Sequence, residues 1–255
     1  MKITILGSGS AYGIPVCFNN WGNVQDHQNP HNRRSRFSVL LLDENKNILI
    51  DIGPEFRLQM NENNITDINA VYLTHAHYDH IAGLPELIRA SALLGHPITI
   101  YASAETLEEV RKSYAFMFNS YKEAGKDGLI WREIKTGKNS IEGMDWNCFE
   151  LPHNHIHSWG FRYKDLAVVT DYDTLSEEIR SQLKNLRLLL LECNNGLEQL
   201  KNGHSNWQQI KPWLDDLKPQ QTLLTHISAK INEAELKALL PPEVELAYDG
   251  LKIEI

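Results

Sequence analysis

Between Thr74 and Ile81 the chain reads His75, Ala76, His77, Tyr78, Asp79, His80, a grouping of imidazoles around one carboxylate. Such side chains hold divalent ions, and an ion so held lowers the pKa of water and polarises an electrophile beside it. A pair of ions does more, because it also stabilises the leaving oxygen. The chemistry implied is metal-dependent hydrolysis. At this spacing His75 and His77 can point into one ion, while Asp79 and His80, a step further round the turn, reach a second. Asp79 as an ordinary helix N-cap would explain the carboxylate and leave the histidines unexplained.

The elements around the cluster explain its position. Ile68, Asn69, Ala70, Val71, Tyr72, Leu73, Thr74 reads as a buried strand, and the stretch from Ile81 to Ile88 opens a helix. The cluster therefore lies beyond the carboxyl end of a strand, where open sheets place their ligands. One loop cannot complete two metal shells, and further candidates end later apolar runs. His153 follows Phe149, Glu150, Leu151; Asp171 ends Leu166, Ala167, Val168, Val169, Thr170; His226 ends Thr222, Leu223, Leu224, Thr225. A carboxylate such as Asp171 at the end of a buried strand is costly without a metal or a partner. His153 also opens His153, Asn154, His155, Ile156, His157, and alternate residues of an extended segment face one way. All three histidines can thus approach the site.

Strands are expected near residues 2–6, 37–42, 48–52, 68–74, 97–101, 129–134, 146–151, 159–163, 166–171, 187–192 and 221–225. Helices are expected near 81–93, 104–118, 174–185, 206–217 and 232–240, the last stopped by Pro241 and Pro242. Asp249 and Gly250, between Val244–Tyr248 and Leu251–Ile255, carry a hairpin signal. Tyr114, Phe116, Met117, Phe118 and Tyr121 read as helix-packing surface, with a pocket wall or homodimer contact as a second use.

The pattern His75, His77, Asp79, His80, then His153, Asp171 and His226, resembles the metallo-beta-lactamase superfamily of hydrolases over nearly the whole chain. The resemblance implies an α/β fold, a four-layer αββα sandwich of two mixed sheets. It implies two divalent metal ions, zinc or manganese: His75, His77 and His153 on one, Asp79, His80 and His226 on the other, Asp171 bridging. The spacing to Gly160 and Phe161 matches the family when His153 is the ligand, which leaves His155 and His157 to line or rim the pocket. Leu49, Ile50, Asp51, Ile52, Gly53 is similar to the family strand that ends in an aspartate supporting a ligand imidazole.

A narrower likeness is carried by Gly7, Ser8, Gly9, Ser10, by Arg34 with Arg36, by Thr74 to His80, by Thr225, His226, Ile227, Ser228, and by Ala247, Tyr248, Asp249, Gly250. These resemble the branch of the cyclic-phosphate phosphodiesterases of phosphonate breakdown and, more distantly, the endonucleases that trim transfer RNA 3′ ends. The activity implied is cleavage of a small or cyclic phosphodiester by a metal-bridging hydroxide, with Asp79 and Asp171 in the catalytic set. His204, in Asn202, Gly203, His204, Ser205, Asn206, stands at a helix start and resembles the branch's extra histidine, which contacts phosphate or protonates the leaving oxygen. Its ordinary pKa near neutrality suits either role. Arg33, Arg34 and Arg36 either turn positive charge toward a phosphate or lie on the surface. A transfer RNA 3′-end endonuclease and a thioester or lactone hydrolase share the metals, and a non-catalytic metal-binding protein would need an incomplete site.

The chain departs from that branch at its rim. Where relatives carry a cysteine cluster for a structural zinc, only Cys17 stands, with His27 and His31 following, which argues against a closed thiolate site. Ala229 replaces a histidine of many relatives. The glycine-rich start is no dinucleotide fingerprint, because Tyr12 occupies the third glycine position. It reads as a tight turn leading into an insertion at about 13–36 that rims the active site.

Composition sets the limits. The 255 residues are 42% hydrophobic, enough for one large core, so residues 1–255 are expected to form a single domain. The formal net charge of −8 disfavours a broad nucleic-acid surface and favours a small phosphate-containing substrate. Three cysteines, two of them in apolar runs, suit reduced thiols. With no export segment before the first strand and no apolar run of bilayer length, a cytoplasmic location without membrane contact is expected.

Overall fold

The computed structural model describes residues 1–117, 128–198 and 203–255. Two seven-stranded sheets carry the chain. The first is ordered β14 (Lys252–Glu254), β1 (Lys2–Gly7), β2 (Ser38–Asp43), β3 (Lys46–Ile50), β4 (Ala70–Tyr72), β5 (Ile98–Ala102), β6 (Leu129–Glu133). The second is ordered β13 (Val244–Leu246), β12 (Gln221–Thr225), β11 (Leu188–Glu192), β10 (Leu166–Val169), β9 (Ile156–Tyr163), β8 (Met144–His153), β7 (Gly137–Ile141). Neighbours from β3 to β6 and from β10 to β13 are parallel, and the other pairs are antiparallel. Both sheets are therefore mixed.

The layers follow from which residues face which core. Leu188 and Leu190 pack between the sheets with Ile48, Ile50 and Tyr72, whereas Leu189 and Leu191 face outward onto helices. A strand covered on both faces has no polar side, which is why β11 reads as an unbroken leucine run. Burying each such leucine contributes about 1.5–3 kcal/mol relative to leaving it exposed. Outside the first sheet lie α1 (Phe56–Glu62), α3 (Leu84–Leu94) and α4 (Ala104–Ser113), whose Phe56, Leu87 and Val110 cover Leu49 and Val71. The short α2 (Tyr78–Ile81) carries part of the histidine cluster. Outside the second sheet lie α5 (Glu177–Gln182), α6 (Trp207–Leu217) and α7 (Glu233–Lys237), whose Ile179, Ile210 and Leu236 cover Leu189 and Leu191. The result is an αββα sandwich.

Some expectations are corrected. Residues 244–255 form no hairpin: β13 pairs parallel with β12 in one sheet and β14 antiparallel with β1 in the other, so Asp249 and Gly250 carry the chain from sheet to sheet. The helix α1 and the strand β7 were not expected, and α7 is shorter than the 232–240 pattern suggests. Phe118 and Tyr121 lie outside the described residues; of their group Met117 is buried and Phe116 is exposed. Among the described residues, no helix is long and apolar enough to cross a membrane.

Candidate metal centre

The strands β3, β4, β8, β10, β11 and β12 end at one edge of the sandwich, and the polar residues at or just beyond those ends meet there. Asp51, Asp171 and His226 have φ of 57°, 55° and 56°. This left-handed region is sparsely populated by side-chain-bearing residues, with aspartate and histidine enriched among the exceptions. The turn breaks the alternation of the strand just as it ends. His75, Asp79, His80, His153, Asp171 and His226 are all buried, and His77 is exposed on one side.

Among the described residues, four groups of ring and carboxylate atoms lie within 4.8 Å of one another: His75, His77 and His153; His75, His80 and Asp171; Asp79, His80 and His226; and Asp171, Glu192, His204 and His226. His75 Nε2 is 2.9 Å from His77 Nδ1, and His153 Nε2 is 3.4 Å from the same atom. His80 Nε2 is 3.1 Å from Asp79 Oδ2 and 3.4 Å from Asp171 Oδ2. His226 Nε2 is 3.5 Å from both Asp79 Oδ2 and Asp171 Oδ1, and His153 Nε2 is 3.9 Å from Asp171 Oδ1. The Asp171 carboxylate thus lies between the His153 side and the His80–His226 side.

The far ring nitrogens are fixed from outside. His80 Nδ1 donates to Asp51 Oδ2 at 2.6 Å, and Asp51 is held in turn by the Thr74 N–H at 2.8 Å and the Thr74 hydroxyl at 2.7 Å. His153 Nδ1 donates to the Gly203 carbonyl at 2.8 Å, and His226 Nδ1 lies 3.1 Å from the Asn194 side-chain amide. These contacts turn the opposite nitrogens toward the common space. There His80 Nε2 and His226 Nε2 are buried without a hydrogen-bond partner. Buried polar atoms are normally paired, so two orphaned imidazole nitrogens facing two carboxylates fit bound cations. The nitrogen and oxygen donor set suits zinc or manganese.

Charge within the cluster points the same way. Burial opposes ionisation of Asp171, yet His226, His80, His75 and His153 hold its carboxyl well below the usual range. Burial likewise disfavours a charged His80, but Asp79, Asp171 and Asp51 hold it well above the ordinary histidine range. Burial and the neighbouring His80 hold His75 well below that range. The carboxylates recruit positive charge wherever it is available.

His204 stands beside this centre, just before the N-cap Asn206, whose side chain accepts from Gln209 N–H at the start of α6. Its Nδ1 lies 3.0 Å from Glu192 Oε1 and 3.9 Å from Asp171 Oδ1. Burial lowers its pKa, but the Glu192 carboxylate outweighs that and pushes it up to about 9. Glu192 is wholly buried at the end of β11 and also accepts from the backbone of Asp171 at 2.6 Å and of Ser205 at 3.1 Å. Sequence reasoning passed over Glu192, although it ends an apolar run as Asp171 and His226 do. His204 lines a cleft of about 340 Å³ with Tyr12, Asn20, Asn194, Ala229 and Lys230, between the 13–36 segment and the strand ends.

Other expected residues lie elsewhere. Arg34 is buried, with its guanidinium held by Glu233 Oε1 at 2.9 Å, by Ser8 Oγ at 2.7 Å and by the Ala247 carbonyl. Arg36 pairs with Glu55 and donates to the Ala11 carbonyl at 3.1 Å. Both guanidinium groups are thus committed to protein partners. His155 and His157 are exposed and do not join the ring cluster. The reason is the turn at Asn154, with φ of 53°, which ends the alternation after His153. His153 pairs with Ile156 and Pro152 with His157, which turns His157 to the opposite face, 3.4 Å from Glu150 and 3.5 Å from Glu105. Cys17 is exposed, while His27 stacks on Trp21 and His31 on Tyr248.

With this geometry, the likeness to known proteins becomes specific. Residues 46–227 match the family model described as the beta-lactamase superfamily domain. A crystal structure of a diphosphatase from the PhnP family superposes with a TM-score of 0.89 and 26% identity, covering 100% of this chain and 97% of that one. Octanoyltransferase of Porphyromonas gingivalis is 29% identical over 260 residues, which cover 99% of this chain and 51% of that protein. Ribonuclease Z of Methanococcus maripaludis is 26% identical over 210 residues, 80% of this chain and 58% of that protein. The chain thus spans little more than half the length of these two relatives. The family match covers most of the chain, including His75, His77, Asp79, His80, His153, Asp171 and His226, and the chain belongs to the beta-lactamase superfamily of metal-dependent hydrolases.

Proposed function

We propose that this hydrolase cleaves small phosphodiester or diphosphate substrates, and that residues 1–255 act as one domain whose segment at about 13–36 rims the site. The observation that carries the reading is His204, anchored on buried Glu192 beside Asp171 and opening onto the cleft. Ester hydrolysis with a good leaving group has little need of such a donor, whereas expulsion of an alkoxide or phosphate does. The likeness to a diphosphatase of the PhnP family supports the same substrate class.

His75, His77 and His153 would hold one ion, Asp79, His80 and His226 the other, and Asp171 both. When bound, the ions supply a lowered water pKa and Lewis-acid neutralisation of phosphoryl oxygens. The chain's own residues do the rest. Asp51 and the Gly203 carbonyl fix the tautomers of His80 and His153, so that the ring nitrogens facing the centre carry lone pairs. Glu192 takes the Nδ1 side of His204 and leaves Nε2 for the cleft, where it donates a proton to the departing oxygen. Tyr12, Asn20 and Asn194 form walls for the organic part of the substrate.

A second reading has one observation in its favour: the relative from Porphyromonas gingivalis is named an octanoyltransferase, which makes an acyl thioester the rival substrate. The test is hydrolysis of bis(p-nitrophenyl) phosphate and of an octanoyl thioester by metal-analysed protein, with zinc or manganese added back. Metal-dependent release of p-nitrophenol in excess of thioester cleavage is expected. Thioester turnover with an inert phosphodiester would replace this reading with the second.

A further inference from the structure

Asp173, two residues past Asp171, has its carboxylate turned to backbone rather than to the imidazoles. Oδ2 accepts the Asn154 N–H at 3.0 Å, and Oδ1 accepts the Gly203 N–H. Its main chain is tied to the same region, for its N–H donates to the Pro152 carbonyl at 2.7 Å and its carbonyl accepts from Gln209 Nε2 at 2.9 Å. Asn154 directly follows His153, and Gly203 directly precedes His204. The Gly203 carbonyl is also the group that receives His153 Nδ1 at 2.8 Å. A Cβ at Gly203 would lie 2.2 Å from Asn154 Nδ2, so the Asn154 side chain reaches over this turn, and the φ of 91° there favours glycine.

We infer that Asp173 is a positioning residue that sets two imidazoles from different elements at once: His153 through the Gly203 carbonyl, and His204 through the N–H that precedes it. A carboxylate is suited to the task because it accepts from both turns, and hydrogen bonds to an ionised acceptor are roughly twice as strong as neutral ones. An amide in its place would turn an NH₂ donor against one of the two N–H groups. Either Gly203 or Asn154 would then come loose, and Gly203 carries both histidine connections. The His204 half of this inference rests on the phosphodiester reading above; the His153 half rests on the ligand geometry alone.

The experiment compares Asp173→Asn with wild type in two measurements. In the first, zinc affinity is read by competition with a chromophoric chelator, which needs no turnover; loss of a direct outer partner of a ligand histidine weakens binding by about 10–100-fold, and since Asp173 acts one bond further out, through Gly203, a loss toward the lower end of that range is expected. In the second, turnover is compared on bis(p-nitrophenyl) phosphate and on 2′,3′-cyclic AMP, whose leaving groups are an acidic phenol and a sugar alkoxide. The variant is expected to lose several-fold more on the alkoxide substrate, as His204→Ala does, and the double variant is expected to show no greater selectivity than His204→Ala alone. A merely structural role would reduce both substrates equally. Unchanged zinc affinity with equal losses on both substrates would overturn the inference. If His204→Ala itself showed no leaving-group selectivity, the phosphodiester role of His204 would fall, and the zinc measurement would still decide the His153 connection. Asp173→Glu, which keeps the charge but displaces the oxygens by a methylene, carries the same test with the same expected direction if Asp173→Asn does not fold.

Discussion

Two buried polar clusters of the molecule are satisfied in opposite ways. In one, Arg34 is matched by Glu233, Ser8 and the Ala247 carbonyl, and Asp249 accepts from the N–H and hydroxyl of both Ser8 and Ser35 at 2.6–2.8 Å. In the other, His80 Nε2 and His226 Nε2 have no hydrogen-bond partner while facing Asp79 and Asp171. Buried polar atoms are normally paired, so the first cluster is complete as protein and the second has two ring nitrogens left over that suit cations. Full pairing marks a clamp that ties Ser8 to Arg34 and Ser35 across the first loop. Incomplete pairing beside two buried carboxylates is what the proposed metal centre rests on.

The largest expected effect comes from breaking the second cluster. His77→Ala or Asp171→Ala should reduce turnover to background and lower bound metal as read by elemental analysis, and prolonged chelation of the wild type should do the same, reversibly. Retained activity in either variant would separate the ring cluster from catalysis. Next is His204→Ala, expected to lower kcat by about 10²–10⁴-fold, the usual worth of a positioned acid or base, with metal content unchanged. A fall in metal content in that variant would move His204 from the cleft into the ligand set.

The clamp should respond in stability instead. Arg34→Ala leaves Glu233 buried with Lys237, 3.2 Å away, as its remaining charged partner among the described residues. Breaking a buried pair costs about 3–5 kcal/mol, and a loss near the lower end is expected in chemical denaturation, with kcat per folded molecule unaffected. An activity loss at unchanged stability would instead return Arg34 to the substrate. The smallest effect sharpens the border between the clusters. Asp51 is fully paired yet supports His80, so Asp51→Asn should weaken metal binding by about 10–100-fold, measured by competition with a chelator.

The same contrast explains what could be read in the sequence. His75, His77, Asp79, His80, His153, Asp171 and His226 were legible because each is a polar residue at or just past the end of an apolar run, a local signal that the strand ends preserve in space. Glu192 carries that signal after Leu188–Leu191 and escaped notice because the ligand shells were already filled. Arg34 was not legible, since its partner Glu233 is 199 residues away and only the closed sandwich brings them together. The Asp249–Gly250 pair has hairpin chemistry, but its flanks join different sheets and its carboxylate serves Ser8 and Ser35. His155 and His157 share the spacing of His153 and are diverted by the positive φ of Asn154, a turn that alternation alone does not reveal.

The central claim is that the atoms left unpaired at the strand ends are completed by metal. Anomalous diffraction from crystals grown with zinc, and separately with manganese, tests it directly. Two peaks are predicted, one among His75, His77 and His153 and the other among Asp79, His80 and His226, with Asp171 reaching both. Metal-replete crystals with no peak beside His80 Nε2 and His226 Nε2 would contradict the account.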